Sequence, residues 1–122
     1  MEEDLTREII SAAIEVHRHL GPGLLESTYQ TCMASELVLR RIEFEQQKVV
    51  PVEYKGVHVE CGYRLDFMIA RRVILELKAV EVIHPVFEAQ VLTYLLHTRC
   101  RVGLLINFNV PVLKSGIKRL SL

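Results

Sequence analysis

Between Arg64 and Lys78 the sequence places two carboxylates and a lysine in a spacing that suits phosphate chemistry. Ala70-Arg71-Arg72 reads as a three-residue turn, which pairs residues whose numbers sum to 142: Ile69 with Val73, Phe67 with Leu75 and Asp66 with Glu76. Side chains alternate along a strand, so one face of this hairpin carries Leu65, Phe67, Ile69, Val73, Leu75 and Leu77, and the other carries Arg64, Asp66, Met68, Ile74, Glu76 and Lys78. The first face is core. On the second, Asp66 and Glu76 oppose each other, and like charges set opposite in a sheet ask for a cation between them. Oxygen ligands from two strands, with Lys78 two residues on along the same face, suit Mg²⁺ or Mn²⁺ plus a substrate phosphate. The ordinary alternative is a solvated face of mixed charge. A two-residue turn would slip the register by one and separate the carboxylates.

Other polar groups point the same way less specifically. Glu26 falls near the start of a helix, where a carboxylate also serves simply to complement the helix dipole. Gln90 and Tyr94, four apart, share one face of a later helix, where a half-buried hydrogen-bonding pair is the plain reading. Arg64 on the carboxylate face and Arg71 and Arg72 at the hairpin tip are candidate contacts to a substrate backbone, or solvated surface.

The elements that must position these groups follow from periodicity. Leu5, Ile9, Ala13, Val16 and Leu20 recur at helical spacing behind Asp4 or Thr6 as a cap, which predicts a helix ending before Gly21-Pro22-Gly23. A second helix is expected from about Leu24 to Arg40. From Phe44 to Ala79 the pattern changes to alternation and β-branched residues, with a turn at Lys55-Gly56, and predicts a three-stranded antiparallel meander. Pro85 opens a third helix running to about His97. Val102 to Ile106 is a continuous apolar run, as expected of a strand buried on both faces beside a crossover helix. The tail from Leu113 to Leu120 is available for an edge strand. The expected fold class is therefore α/β around a mixed central sheet: two N-terminal helices, then βββαβ.

Length and composition bound the rest. A chain of 122 residues that is half hydrophobic is expected to form one domain over residues 1–122, with a core that needs no disulfide or structural metal. Cys32, Cys61 and Cys100 are odd in number and far apart, so reduced thiols are expected and a zinc site is not. No apolar run approaches the length of a membrane helix, and Met1-Glu2-Glu3-Asp4 is not the start of a signal peptide, which predicts a soluble, cytoplasmic protein without membrane association. The 15 bases and 15 acids cancel, but not locally. Residues 1–39 hold seven acids and two bases, residues 40–88 eight of each, and residues 89–122 five bases and no acid. A neutral total therefore leaves an anionic partner open.

Gly23-Leu24-Leu25-Glu26-Ser27-Thr28-Tyr29 resembles the signature of the bacterial and archaeal GxxExxY proteins. His17, Leu20-Gly21-Pro22-Gly23, Pro51-Val52, Asp66, Glu76-Leu77-Lys78, Glu88-Ala89-Gln90, Tyr94 and Gly103 to Phe108 extend that likeness along the whole chain. The family is grouped with the PD-(D/E)xK nuclease superfamily, whose restriction-endonuclease-like core has the element order derived above. Its pattern is an acid on the first core helix, an Asp on the second strand, Glu-x-Lys on the third, and often Gln-x-x-x-Tyr on the following helix. By resemblance these fall on Glu26, Asp66, Glu76, Lys78, Gln90 and Tyr94; the pattern's Pro is absent, Leu65 preceding Asp66.

The chemistry this implies is metal-dependent phosphodiester hydrolysis. Mg²⁺ or Mn²⁺ would be held by Asp66, Glu76, the carbonyl of Leu77 and Glu26, directly or through water. Lys78 would orient or deprotonate the attacking water. Without a base-reading element, recognition of nucleic acid shape, ends or junctions is expected, and relatives of this size suggest a homodimer. The alternative is a non-catalytic nucleic-acid- or protein-binding module on the same fold.

Overall fold

The computed structural model describes residues 2–122, with the exception of the Cys61 side chain, so the expectation of a reduced thiol there lies outside the described residues. Two helices come first, α1 over Glu2–Leu20 and α2 over Glu26–Leu39. Strands β1 (Phe44–Tyr54), β2 (Val57–Ile69) and β3 (Val73–Lys78) follow, then α3 (Pro85–Thr98), β4 (Val102–Asn107), a short 3₁₀ turn at Leu113–Gly116 and β5 (Ile117–Ser121). The five strands lie in chain order in one sheet. The first three form the antiparallel meander, β3 and β4 run parallel with α3 as the crossover, and β5 returns antiparallel to β4. No described helix is long and apolar enough to cross a membrane.

α1 carries Glu2, Glu3 and Asp4 in its first turn and His17, Arg18 and His19 in its last, the order that complements a helix dipole. It begins earlier than the sequence suggests. Asp4 and Thr6 lie inside the helix and do not cap it; Thr6 instead returns its hydroxyl to the Glu2 carbonyl. The helix ends at Gly21, whose φ of 72° is the left-handed conformation glycine adopts without strain, with its N–H donating to the His17 carbonyl.

The sheet is covered on both faces. Ile9, Val16, Tyr29, Met33 and Leu37 from α1 and α2 pack on one side against Phe67, Leu75, Leu77 and Ile106. Val91 and Leu95 from α3 pack on the other against Met68, Ile74 and Leu105. Close approach of α3 depends on Gly103, where an added Cβ would lie 2.5 Å from Val91 Cγ1. β4 is buried along its whole length, as its apolar run predicts.

The hairpin register agrees with the turn read from the sequence: Phe67 pairs with Leu75, Met68 with Ile74 and Ile69 with Val73. The expected assignment of faces needs one correction. Leu65 packs on the α3 side, opposite to Phe67, although the two are only two residues apart. Strict alternation breaks at Asp66, where the β1–β2 pairing skips the Gln47/Asp66 position and Gln47 takes a φ of 53°. The second face of the hairpin is also not a solvated surface, because Met68 and Ile74 are buried beneath α3.

Candidate active site

Asp66 and Glu76 face each other at the point where the β2–β3 ladder gives out. The backbone N–H of Asp66 donates to Glu76 Oε2 at 2.7 Å, and the backbone N–H of Leu77 donates to Asp66 Oδ2 at 2.9 Å. Each carboxylate thus occupies the place of a ladder carbonyl on the opposing strand. This locks both side chains into fixed rotamers and leaves Asp66 Oδ1 and Glu76 Oε1 without hydrogen bonds among the described residues. Glu76 is only 7% exposed. Burial first, and then the charge of Asp66, push its carboxyl up to about 8, against smaller opposing effects from the Asp66 N–H and Lys78.

Glu26 reaches this region because the chain between the helices is tied down. Tyr29 is fully buried and stacks on Phe108 with ring centroids 4.6 Å apart. Its hydroxyl donates to the Gly21 carbonyl at 2.7 Å and accepts from the Leu24 N–H at 3.1 Å. Gly23 supplies the second left-handed residue of the turn, with φ 92°. The Gly23, Glu26 and Tyr29 spacing is therefore a local clamp that aims the first residue of α2. Glu26 and Asp66 line one cleft of about 340 Å³ together with Ser27, Gln30, Thr31, Gln46 and Gln47. Partial burial and the charge of Asp66 raise the Glu26 carboxyl above its ordinary value, while Lys78 and the Gln30 amide pull it back.

Lys78 follows Leu77 on β3 and projects toward α3, its ammonium 4.4 Å from the centre of the Phe87 ring. Among the described residues it has no carboxylate within ion-pair distance. The chain beyond it is held by Asn107, whose buried side-chain amide accepts from the Val80 N–H at 3.1 Å and donates to the Val80 carbonyl at 2.9 Å. Tyr94 is half-buried on α3, its hydroxyl raised by burial and then by the charges of Glu76 and Asp66. Gln90, one turn earlier, is exposed and shares a second cleft with Tyr94. No hydrogen bond joins these two side chains among the described residues. Arg64, Arg71 and Arg72 are all exposed, the last two at the hairpin tip where Ala70 and Arg71 both take positive φ.

Several contributors escape a reading by motif. The buried amide of Gln30 accepts from Gln47 Nε2 at 3.2 Å, bridging α2 to the irregular point of β1 opposite Asp66. Its position four residues after Glu26 is the signal that would have found it. Tyr63, stacked on Tyr94 with centroids 4.5 Å apart and planes 9° apart, leaves no such trace, because a bulge between Val50 and Val52 sets its register.

The donor set fits a hard divalent cation in its chemistry: two fixed carboxylates with one open oxygen each, a charge deficit that burial makes acute, and a third carboxylate across a cleft. The described residues include no group of three or more acidic, histidine or cysteine side chains already gathered for metal binding. Any remaining ligands must come from backbone carbonyl or water. Comparison with curated proteins and with solved structures yields no match. A family pattern does match, spanning residues 3–120 and so including the clamp, the opposed carboxylates, Lys78 and α3; by that match the chain belongs to the PD-(D/E)XK nuclease superfamily.

Proposed function

We propose that this protein hydrolyses phosphodiester bonds in DNA or RNA with the help of Mg²⁺ or Mn²⁺, selecting substrates by shape rather than base sequence. The observation that carries the reading is the cross-locked Asp66–Glu76 pair, with Lys78 near it and in no ion pair among the described residues. Asp66, Glu76 and the Leu77 carbonyl would hold the cation, and Glu26 would reach it through water across the shared cleft. When bound, the cation supplies Lewis-acid polarisation of the phosphoryl oxygen and a lowered pKa for coordinated water.

The chain's own groups then have separate tasks. The backbone N–H groups of Asp66 and Leu77 fix which carboxylate oxygens remain available. Lys78 offsets charge building on the phosphate and holds the attacking water through its ammonium, with the Phe87 ring limiting its rotamers. Tyr94 positions the substrate beside the carboxylates, and Gln90 contacts it from the exposed turn of α3. Arg64, Arg71 and Arg72 bind backbone phosphates without reading bases.

The purified protein should show divalent-ion-dependent cleavage on a panel of single-stranded, duplex, flapped and four-way DNA and of RNA, lost in Asp66→Ala and Lys78→Ala. No cleavage anywhere on the panel, or cleavage that survives both substitutions, refutes the proposal. Among the described residues no three ligand side chains are gathered in advance, and the second reading is a binding module on the same fold. Calorimetric titration with Mn²⁺ separates the two: a site lost in Glu76→Ala supports catalysis, and no binding to wild type supports the module.

A further inference from the structure

The second cleft, between the distal part of β2 and α3, encloses about 420 Å³ and is lined by Tyr63, Tyr94, His97, Gln90, Thr93 and Ala89 among others. Its volume is in the range of small-molecule sites. None of its lining residues is Asp, Glu, Lys or Arg, in a chain where a quarter of the residues are charged. A phosphate would find no counter-charge there. An uncharged planar ring would find aromatic carbon, with amide, hydroxyl and imidazole groups at hand for its polar edge.

The aromatic wall is already assembled. Tyr63 and Tyr94 are stacked nearly parallel, and the exposed His97 ring sits 5.9 Å from Tyr63 at 49°. The Tyr63 hydroxyl is buried and, among the described residues, has no hydrogen-bond partner, so it offers the cleft no accessible donor. The cleft is separate from the one that Glu26 and Asp66 line, and β2 runs from one to the other. Tyr63 lies three residues from Asp66 along β2, a span of roughly 10 Å at strand rise, and the Tyr94 hydroxyl is near enough to Glu76 and Asp66 to feel their charges.

We infer that this cleft receives an unpaired nucleobase of the substrate strand next to the phosphate that a cation at Asp66 and Glu76 would engage. The inference deepens the nuclease reading and rests on it: the preferred substrate is single-stranded or locally unpaired nucleic acid, because a base held in a duplex stack cannot enter. Stacking on aromatic side chains tolerates any base, because every base has a π-face.

The test uses the full chain in EDTA, so that binding is read without cleavage, and a short fluorescently labelled DNA followed by anisotropy. Single-stranded DNA should bind about ten-fold more tightly than the duplex of the same sequence, and one abasic site should weaken it by about ten-fold. His97→Ala and Ala89→Trp, both at exposed positions, should weaken single-strand binding similarly and leave duplex binding unchanged. Tyr63→Phe, which keeps the ring, should bind as wild type. Equal affinity for single strand and duplex, or no loss in Ala89→Trp, overturns the base cleft while leaving the nuclease reading standing. Failure to bind either form in EDTA overturns the base cleft and leaves the nuclease reading to the cleavage panel. A single-stranded RNA of the same sequence should bind within a few-fold of the DNA, since stacking does not read the sugar; loss of binding to both single strands overturns the inference.

Discussion

Replacing Glu76 by Gln should stabilise the metal-free protein at alkaline pH and flatten its pH dependence. The buried carboxyl moves from an ordinary 4.5 to about 8 on folding, chiefly through burial and then through the charge of Asp66. Between those two values the native state holds a proton that the unfolded chain has released. Stability therefore falls as pH rises through this window, at up to about 1.36 kcal/mol per pH unit. Over the whole window the cost is at most about 5 kcal/mol, a large share of the roughly 5–15 kcal/mol that hold a typical domain together. Gln keeps an oxygen to accept from the Asp66 N–H and removes the charge. Urea unfolding in EDTA from pH 5 to pH 9, followed by tyrosine fluorescence in this tryptophan-free chain, should show wild type losing stability with rising pH and Glu76→Gln losing much less. Adding Mn²⁺ at pH 8 should raise the midpoint of wild type and leave that of the variant in place, since a ligand stabilises only the state that binds it. Parallel pH profiles for the two proteins, or a variant less stable than wild type at pH 8, would refute the electrostatic account of the site.

Two further substitutions probe how the site is held in place. Tyr29→Phe removes the hydroxyl that joins Gly21 and Leu24 while keeping the stack on Phe108; it should cost about 1–3 kcal/mol in denaturant unfolding and lower cleavage more than it lowers Mn²⁺ binding, because Glu26 loses its aim. Asn107→Ala leaves the N–H and carbonyl of Val80 without their partner and should cost about 2 kcal/mol, with faster amide exchange confined to residues 79–84.

The order of elements was legible because each carries its own local signal: helical spacing in α1, left-handed residues Lys55 and Gly56 at the first hairpin turn, Pro85 at the first position of α3, and the unbroken apolar run of β4. The pairing of Asp66 with Glu76 was legible for the same reason, since a turn fixes hairpin register and register fixes who stands opposite whom. The start of α1 was misread because Asp4 and Thr6 favour caps, yet acidic residues in a first turn are equally at home there. The face of Leu65 was misread because alternation holds only while the ladder is regular, and at Asp66 the carboxylates themselves displace the ladder.

The sequence by itself determined the elements, their order, the opposed carboxylates and the lysine that follows them, all consequences of spacing within one hairpin or one helix. Tertiary structure decided what those groups can do. Only the fold puts Glu26 of α2 beside Asp66, buries Glu76 so that its carboxyl is pushed up, leaves Lys78 outside any ion pair among the described residues and builds an uncharged aromatic cleft from Tyr63 and α3. Burial and long-range proximity depend on contacts between segments far apart in the chain, and no local pattern encodes them.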